Sequence, residues 1–394
     1  MTENLRLTTD ADREAFYQLY QYAFNNHDSP QRRQFFMARY QHGWIYGRHE
    51  QQQLVSGLYS LPMQVNFHGV TYPMHGIGDV MSAPEYSGRG GAGKLLTAAL
   101  HDMAAQQVPL SYLAPFSYGY YRQFGYEQTF THTEQVLPAA NLPRLKPTDL
   151  SGTITRYGND GIARINDFYA AQPINQRGGL IRSTWWCHYL TLKHDWSVAI
   201  YRNATNQIEG YLIYERQATN FAIQEWTTST PVAFERLAAF ITKHGTTFDT
   251  FSYTAPSDDN NLADLAAPEA LKIQTTPYMM ARIVDLPAFL KRYPFTTTDL
   301  APLRLAITDP VLTQNQGIWT LSITAGTVTL NRVTPTLDGA AAVRLSIQRL
   351  TQALFGTRTL TQAWQHGQVT GDMAAIKRLD ASLVTTKPAL IDYF

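Results

Sequence analysis

The chain holds one cysteine, Cys187, in 394 residues. An intrachain disulfide is therefore impossible, and so is a thiolate cluster for zinc or iron–sulfur. No window approaches the ~18 consecutive apolar residues of a membrane-spanning helix. The opening segment, MTENLRLTTDADREA, carries acids and lacks an apolar h-region, so it does not read as a signal peptide, and the expected compartment is the cytoplasm. Charge is scarce: 16% of residues are Asp, Glu, Lys or Arg, against ~25% in an average soluble chain. The 32 basic residues nearly cancel the 31 acidic ones, leaving +1. That balance argues against a nucleic-acid protein working through a basic surface, and no nucleic-acid or membrane partner is expected. Of 11 histidines none forms a His-Glu-x-x-His helix or a spaced ligand cluster, and His188 and His194 lack a third ligand, so no metal is expected. A Gly-x-Ser-x-Gly elbow is also missing, and Cys187 sits in a Trp-rich helix where burial is its expected fate.

What is present is an aromatic, apolar composition: 44% hydrophobic residues, 12% aromatic, with 23 tyrosines. Such a chain is globular, and at ~150 residues per domain it divides into two or three domains. The low charge leaves room for large interfaces between copies. Three segments follow from pattern and punctuation, at 1–145, 146–284 and 285–394. In the first, Thr9 or Asp10 caps a helix with Phe16, Leu19, Tyr20, Ala23 and Phe24 on one stripe. Met63, Val65 and Phe67 alternate, His68-Gly69 turns, and Val70, Tyr72 and Met74 alternate again. A helix with Leu95, Leu96, Ala99, Leu100 and Met103 on one face comes next, then a short strand (LSYLAP) and a short helix (SYGYYRQF). A Pro-rich linker leads to a middle segment of helices and meander strands, with Phe234, Leu237, Ala238 and Ile241 facing inward from one helix. The last segment begins near Met279 as a strand running into a helix, then gives four short alternating runs and three helical stretches, an α+β pattern.

The most informative stretch is GDVMSAPEYSGRGGAGKLLTAAL. A strand enters a loop with Gly88, Gly90, Gly91 and Gly93, and a helix starts at once. Glycines let backbone N–H groups approach a ligand, and a helix N-terminus adds partial positive charge, so the turn suits a pyrophosphate. Arg89 and Lys94 add formal charge. A tight turn with no ligand fits the same residues equally well. The Walker pattern fails because Leu95 follows Gly93-Lys94. The dinucleotide-binding pattern fails because the preceding strands read as antiparallel hairpins.

About thirty residues on stands Tyr121-Arg122-Gln123-Phe124-Gly125-Tyr126. With the run Ser87-Gly88-Arg89-Gly90-Gly91-Ala92, the chain resembles the GNAT N-acetyltransferases, which bind acetyl-coenzyme A through an Arg/Gln-x-x-Gly-x-Gly/Ala loop. Ser87 departs from the usual Arg or Gln, and backbone amides or Arg89 would have to supply what that side chain gives. The three-segment layout, Trp185-Trp186, the Met280-to-Leu290 junction and Phe394 resemble the enhanced intracellular survival (Eis) family. That resemblance implies an α/β (α+β) chain with two tandem GNAT-like domains, the second degenerate and without the loop, followed by a sterol-carrier-like C-terminal domain. It also implies acetyl-CoA as cosubstrate, a small-molecule or lysine-type primary amine as acceptor (an aminoglycoside, a polyamine or a lysine side chain), and a homo-hexamer.

The residues implied follow the same resemblance. Backbone of Val80, Met81 and Ser82 would pair with the pantetheine arm. Ser87, Gly88, Arg89, Gly90, Gly91, Ala92, Gly93, Ser117 and Tyr121 would complete the coenzyme site. Tyr126 would protonate the departing thiolate, as a phenol of pKa ~10 can; without the resemblance, it reads more readily as a Tyr packed at the start of a strand. The C-terminal carboxylate of Phe394 would be the base, although a solvated terminal carboxylate has a pKa of only ~3.5. LIDYF is apolar enough to dock, and Asp392 would supply further negative charge. A cationic acceptor calls for aromatics and acids, and Phe24, Asp28, Phe36 and Trp186 are candidates, with Phe35 and Tyr40 beside them; each also reads as a core or solvated residue. Three alternatives stand: a catalytically inactive acyl-CoA binder, a lipid carrier built on the C-terminal domain, and a peptidoglycan aminoacyl transferase, whose helical insertion is missing here.

Overall fold

A computed structural model describes residues 5–257, 262–333 and 343–394. Residues 1–4, the start of the segment weighed as a leader, lie outside the described residues. The chain forms two compact units. One comprises Met1–Phe130, Tyr278–Pro388 and Tyr393–Phe394, the other Thr131–Pro277 and Ala389–Asp392. No helix among the described residues is long and apolar enough to cross a membrane.

In the first unit Thr9 caps helix α1 (Asp10–Ala23), with Asp12 returning the bond in a capping box. Ser29 caps α2 (Pro30–Tyr40), whose proline occupies the first turn. The periodicity reading left α2 unmarked, because its mixed charged and aromatic residues bury only Phe36 and Arg39. Strands β1 (Trp44–Glu50), β2 (Gln53–Phe67) and β3 (Val70–Ser82) form an antiparallel meander. His68 and Gly69 make the expected turn at φ 50° and 87°. Helix α3 (Gly91–Ala105) buries Leu95, Leu96, Ala99, Leu100 and Met103 in one cluster with Tyr46, Leu58 and Ile77. Then come β4 (Leu110–Leu113), α4 (Tyr118–Arg122) and β5 (Glu127–Gln128).

The strand Met280–Ile283 pairs antiparallel with both β4 and β5, which extends the order β1-β2-β3-β4 through this late strand to β5. Its Arg282 is fully buried, and one guanidinium nitrogen donates to both Asp309 oxygens at 2.7 and 2.8 Å. Gly125 is needed beside it, because a Cβ there would overlap the guanidinium. The remainder of this unit is a five-stranded sheet in the order Thr327–Val333, Gly317–Thr324, Leu300–Thr308, Val343–Ser346 and Thr370–Gly371. The three expected helical stretches follow as Ile347–Leu354, Leu360–Gln365 and Met373–Ser382.

The second unit is built on a seven-stranded sheet, Lys272–Pro277 at one edge and Thr153–Tyr157 at the other. The helix Pro231–Thr242 packs Leu237, Ala238 and Ile241 into its core, while Phe234 stays partly buried and stacks on Trp226. The tail residue Asp392 belongs to this unit. Its carboxylate accepts from Arg182 Nε at 3.0 Å and from Trp186 Nε1 at 2.7 Å. Arg182 also binds Glu225, which accepts from the Tyr211 hydroxyl at 2.8 Å. Cys187 is buried as expected.

Candidate active site

Strands β3 and β4 run parallel from Met74 opposite Leu110 to Ile77 opposite Leu113, and there their ladder stops. On the other side β3 pairs Gly78 with Tyr59 and then Met81 with Gly57, so its register slips across Asp79 and Val80. That slip is a β-bulge, a device that re-aims backbone at the rim of a site. Asp79 adopts φ 47° within it. Two features thus coincide: a bulge on one side of β3 and the end of its β4 ladder on the other.

A cavity of about 180 Å³ lies at this point. Gly78, Asp79 and Val80 line it from β3, and Ala114, Pro115 and Phe116 from the segment after β4. Tyr59 comes from β2, Arg39 from α2, Phe24 from the end of α1 and Tyr121 from α4. Tyr393 and Phe394 complete the lining. Phe394 is 3% exposed. Its ring lies over Gly76, where a Cβ would come 2.5 Å from one ring carbon and 2.7 Å from another. Gly78 is likewise required, because a Cβ there would overlap the Tyr59 hydroxyl. Arg39 and Asp79 form an ion pair with side chains 8% and 9% exposed. The Arg39 guanidinium lies 4.4 Å from the Tyr59 ring centroid, a cation–π contact.

Beyond β3 the loop reaches α3. Gly88 and Gly90 take φ 75° and 76°, and nothing stands within 4 Å of a Cβ at either. Gly90 is the N-cap of α3 and supplies no side-chain cap. Gly91 packs against the Ser56 hydroxyl and Gly93 against the Phe124 ring. The approach to the helix N-terminus is therefore clear at Gly88 and Gly90, as binding a pyrophosphate requires. Ser87 ends the short turn Pro84–Tyr86, and the Arg89 guanidinium lies over the Tyr86 ring. Ala92 is the second residue of the helix. Ser82 shares a 2.8 Å hydrogen bond with Ser56, and Met81 is buried. Ser117 caps α4 by accepting from the Tyr120 amide.

The two tyrosines of the Tyr-x-x-Phe-Gly-Tyr run differ. Tyr121 lines the cavity, and burial holds its phenol well above the ordinary range. Tyr126 has no exposed surface and is not among the lining residues. Its hydroxyl bonds Ser111 Oγ at 2.7 Å, and Ser111 donates onward to the His75 carbonyl. Burial pushes its pKa up to about 12, the Ser111 bond opposing. The rings meet edge to face, 6.3 Å apart.

The acceptor candidates scatter. Phe24 lines the cavity. Phe36 is 1% exposed and packs among Phe16, Tyr17, Tyr20 and Tyr40. Asp28 is half exposed; it accepts from the Tyr17 hydroxyl at 2.6 Å and pairs with Arg33. Trp186 is buried in the second unit on Asp392. Arg39, Asp79, Tyr59, Phe116 and Tyr393 also line the cavity and carry no motif of their own. The signal that could have found them is Gly76-Ile77-Gly78-Asp79, since glycines within a strand mark bulges and close approaches. Among the described residues no group of three or more His, Cys, Asp or Glu could hold a metal ion.

Acetyltransferase (GNAT) domains match residues 4–129 and 178–283, and a sterol carrier protein domain matches 286–391. The structure of a conserved protein of unknown function from Enterococcus faecalis V583, described as a probable N-acyltransferase, is 38% identical. It superposes with a TM-score of 0.93 over 99% of this chain and 98% of that one. A GCN5-related N-acetyltransferase from Anabaena variabilis shares the fold at 22% identity, with a TM-score of 0.86 over 98% of each chain. Eis1 from Mycobacterium abscessus does so at 19%, with 0.79 over 99% of each. A search of curated proteins found no match. With a relative this similar along nearly the whole of both chains, and with two GNAT domains in tandem, the chain belongs to the GNAT superfamily of acetyltransferases.

Proposed function

We propose that the protein transfers the acetyl group of acetyl-CoA directly to a primary amine, as an Eis-like enzyme that assembles as a homo-hexamer in the cytoplasm. The observation that carries this reading is the end of the β3–β4 ladder at Ile77 and Leu113, with a cavity at that point whose lining includes Phe394. The acetyl-thioester supplies the reactive carbonyl, and the residues here position and protonate. The α3 N-terminus and Gly88–Gly90 backbone hold the pyrophosphate. The β3 edge at Val80–Ser82, beyond the last β4 pair, holds the pantetheine, and the bulge aims backbone at the thioester oxygen. The Phe394 carboxylate receives the proton from the acceptor ammonium.

Proton donation to the leaving thiolate falls to Tyr121 in this reading, because it lines the cavity whereas the hydroxyl of Tyr126 is bonded to Ser111. Burial keeps both phenols protonated at neutral pH. Tyr126 then supports the ring of Tyr121 through their edge-to-face contact.

Thiol release from acetyl-CoA across aminoglycosides, polyamines and lysine peptides tests the reading. Tyr121→Phe is expected to lower kcat about a hundredfold, Tyr126→Phe far less, and a chain extended past Phe394 to lose turnover. The opposite order of the two tyrosines returns the donor role to Tyr126. An unaffected extension removes the terminal carboxylate from the mechanism.

A further inference from the structure

The side chains around the cavity say what kind of amine fits. Apart from the Phe394 carboxylate that the reading above assigns to the reacting amine, Arg39 and Asp79 are the charged groups of the lining, and they are paired with each other. Asp28, the acid expected to meet a cation, is engaged by Tyr17 and Arg33 and does not line this cavity. A second ammonium group would thus enter without a carboxylate side chain to meet it, a costly burial. The volume of about 180 Å³ also falls below the ~300–1,000 Å³ typical of sites for drug-sized ligands.

The rest of the lining is largely aromatic. Phe24, Phe116 and Tyr393 are 46%, 69% and 54% exposed, and all three converge on this one cavity. A single exposed ring needs no explanation, but three at one mouth form an apolar entrance. Each is backed by another ring: Phe24 by Tyr20 at 5.5 Å, Phe116 by Tyr121 at 5.2 Å, Tyr393 by Tyr278 at 6.4 Å. They are exposed and yet held, as ring surfaces built for contact are. Ring faces attract one ammonium and stack on an apolar body.

We infer that the acceptor is a small primary amine with an aromatic or apolar body and no second positive charge, and that Phe24, Phe116 and Tyr393 select it. The inference rests on the acetyltransferase reading above. Polyamines and aminoglycosides are then poor acceptors, and a lysine side chain within a peptide is an intermediate one.

The test compares kcat/KM for 2-phenylethylamine, spermidine, kanamycin and a lysine peptide at saturating acetyl-CoA. The expected result is a preference of at least tenfold for 2-phenylethylamine. Phe116→Ala and Phe24→Ala should each raise its KM about three- to tenfold, leaving the KM for acetyl-CoA unchanged. Tyr393→Glu should narrow the preference over spermidine. Equal or better turnover of spermidine, kanamycin or the peptide overturns the inference and leaves the acetyltransferase intact. Should no amine turn over, calorimetry on the CoA-saturated protein decides: 2-phenylethylamine binding that Phe116→Ala weakens supports the inference, and no binding overturns it. Acetyl-CoA failing to raise the melting temperature would instead sink the acetyltransferase reading itself.

Discussion

Replacing Gly76 with alanine isolates the docking of the chain terminus from the rest of the site. The residue sits inside β3 with ordinary strand backbone, so alanine itself imposes no conformational cost. Its methyl group, however, would lie 2.5 Å from a ring carbon of Phe394. Carbon atoms in ordinary contact stay roughly 3.5 Å apart, so the ring must retreat by about 1 Å. Overpacking of this kind costs about 1–3 kcal/mol. A misplacement of about 1 Å in a reacting group can cost a hundredfold in rate. We therefore expect Gly76→Ala to lower kcat for thiol release ten- to a hundredfold, with the KM for acetyl-CoA nearly unchanged. The double variant decides the cause. In a Phe394→Ala background the obstructing ring is gone, so Gly76→Ala should add little further loss, giving a clear coupling in a double-mutant cycle. Wild-type turnover in Gly76→Ala, or losses that simply multiply in the double variant, would refute the reasoning.

Three further outcomes are expected. His75 is 4% exposed, its Nδ1 lies 2.8 Å from Ser60 Oγ, and burial pulls its pKa down to about 4. Its native value lies below the unfolded ~6.5, so stability is complete above that pH and lost as pH falls toward 4, by roughly 3 kcal/mol; urea unfolding should show this slope, and His75→Gln should flatten it. Gly88→Ala or Gly90→Ala meets open space but must hold φ near 75°, a strain of about 1–2 kcal/mol, which should raise the KM for acetyl-CoA about tenfold with kcat kept. Asp392→Ala strips the Arg182 Nε and Trp186 Nε1 of their shared acceptor, and calorimetry should show a loss of about 3–5 kcal/mol.

The parts of the site read from sequence are those that depend on neighbours along the chain. The glycines of the loop, the face of α3 and the turn at His68-Gly69 are local, and periodicity and turn chemistry reveal them. The Phe-Gly-Tyr run was seen, yet which of its two tyrosines meets the cavity depends on Ser111, which lies in β4 and holds Tyr126. The bulge at Asp79 and the pairing of that residue with Arg39 join positions forty apart. The strand Met280–Ile283 was legible as a strand, but all four residues are buried, so no alternation marked its faces and nothing local named its sheet. Helix α2 hid because its aromatic and charged residues do not sort into one stripe.

That late strand also sets a schedule. It fills the place between β4 and β5 in the first unit's sheet, yet β4 ends at Leu113 and the strand begins at Met280. At ~5–20 residues per second a ribosome needs roughly ten to thirty seconds to cover that interval. Throughout it the nascent sheet keeps the edges of β4 and β5 unmatched, at a stage when exposed edges invite association with other chains. A fragment ending near residue 145 would remain in that state permanently. The smallest piece of this gene product able to house the site is therefore not its first domain, and attempts to express that domain by itself should yield aggregates rather than a minimal enzyme.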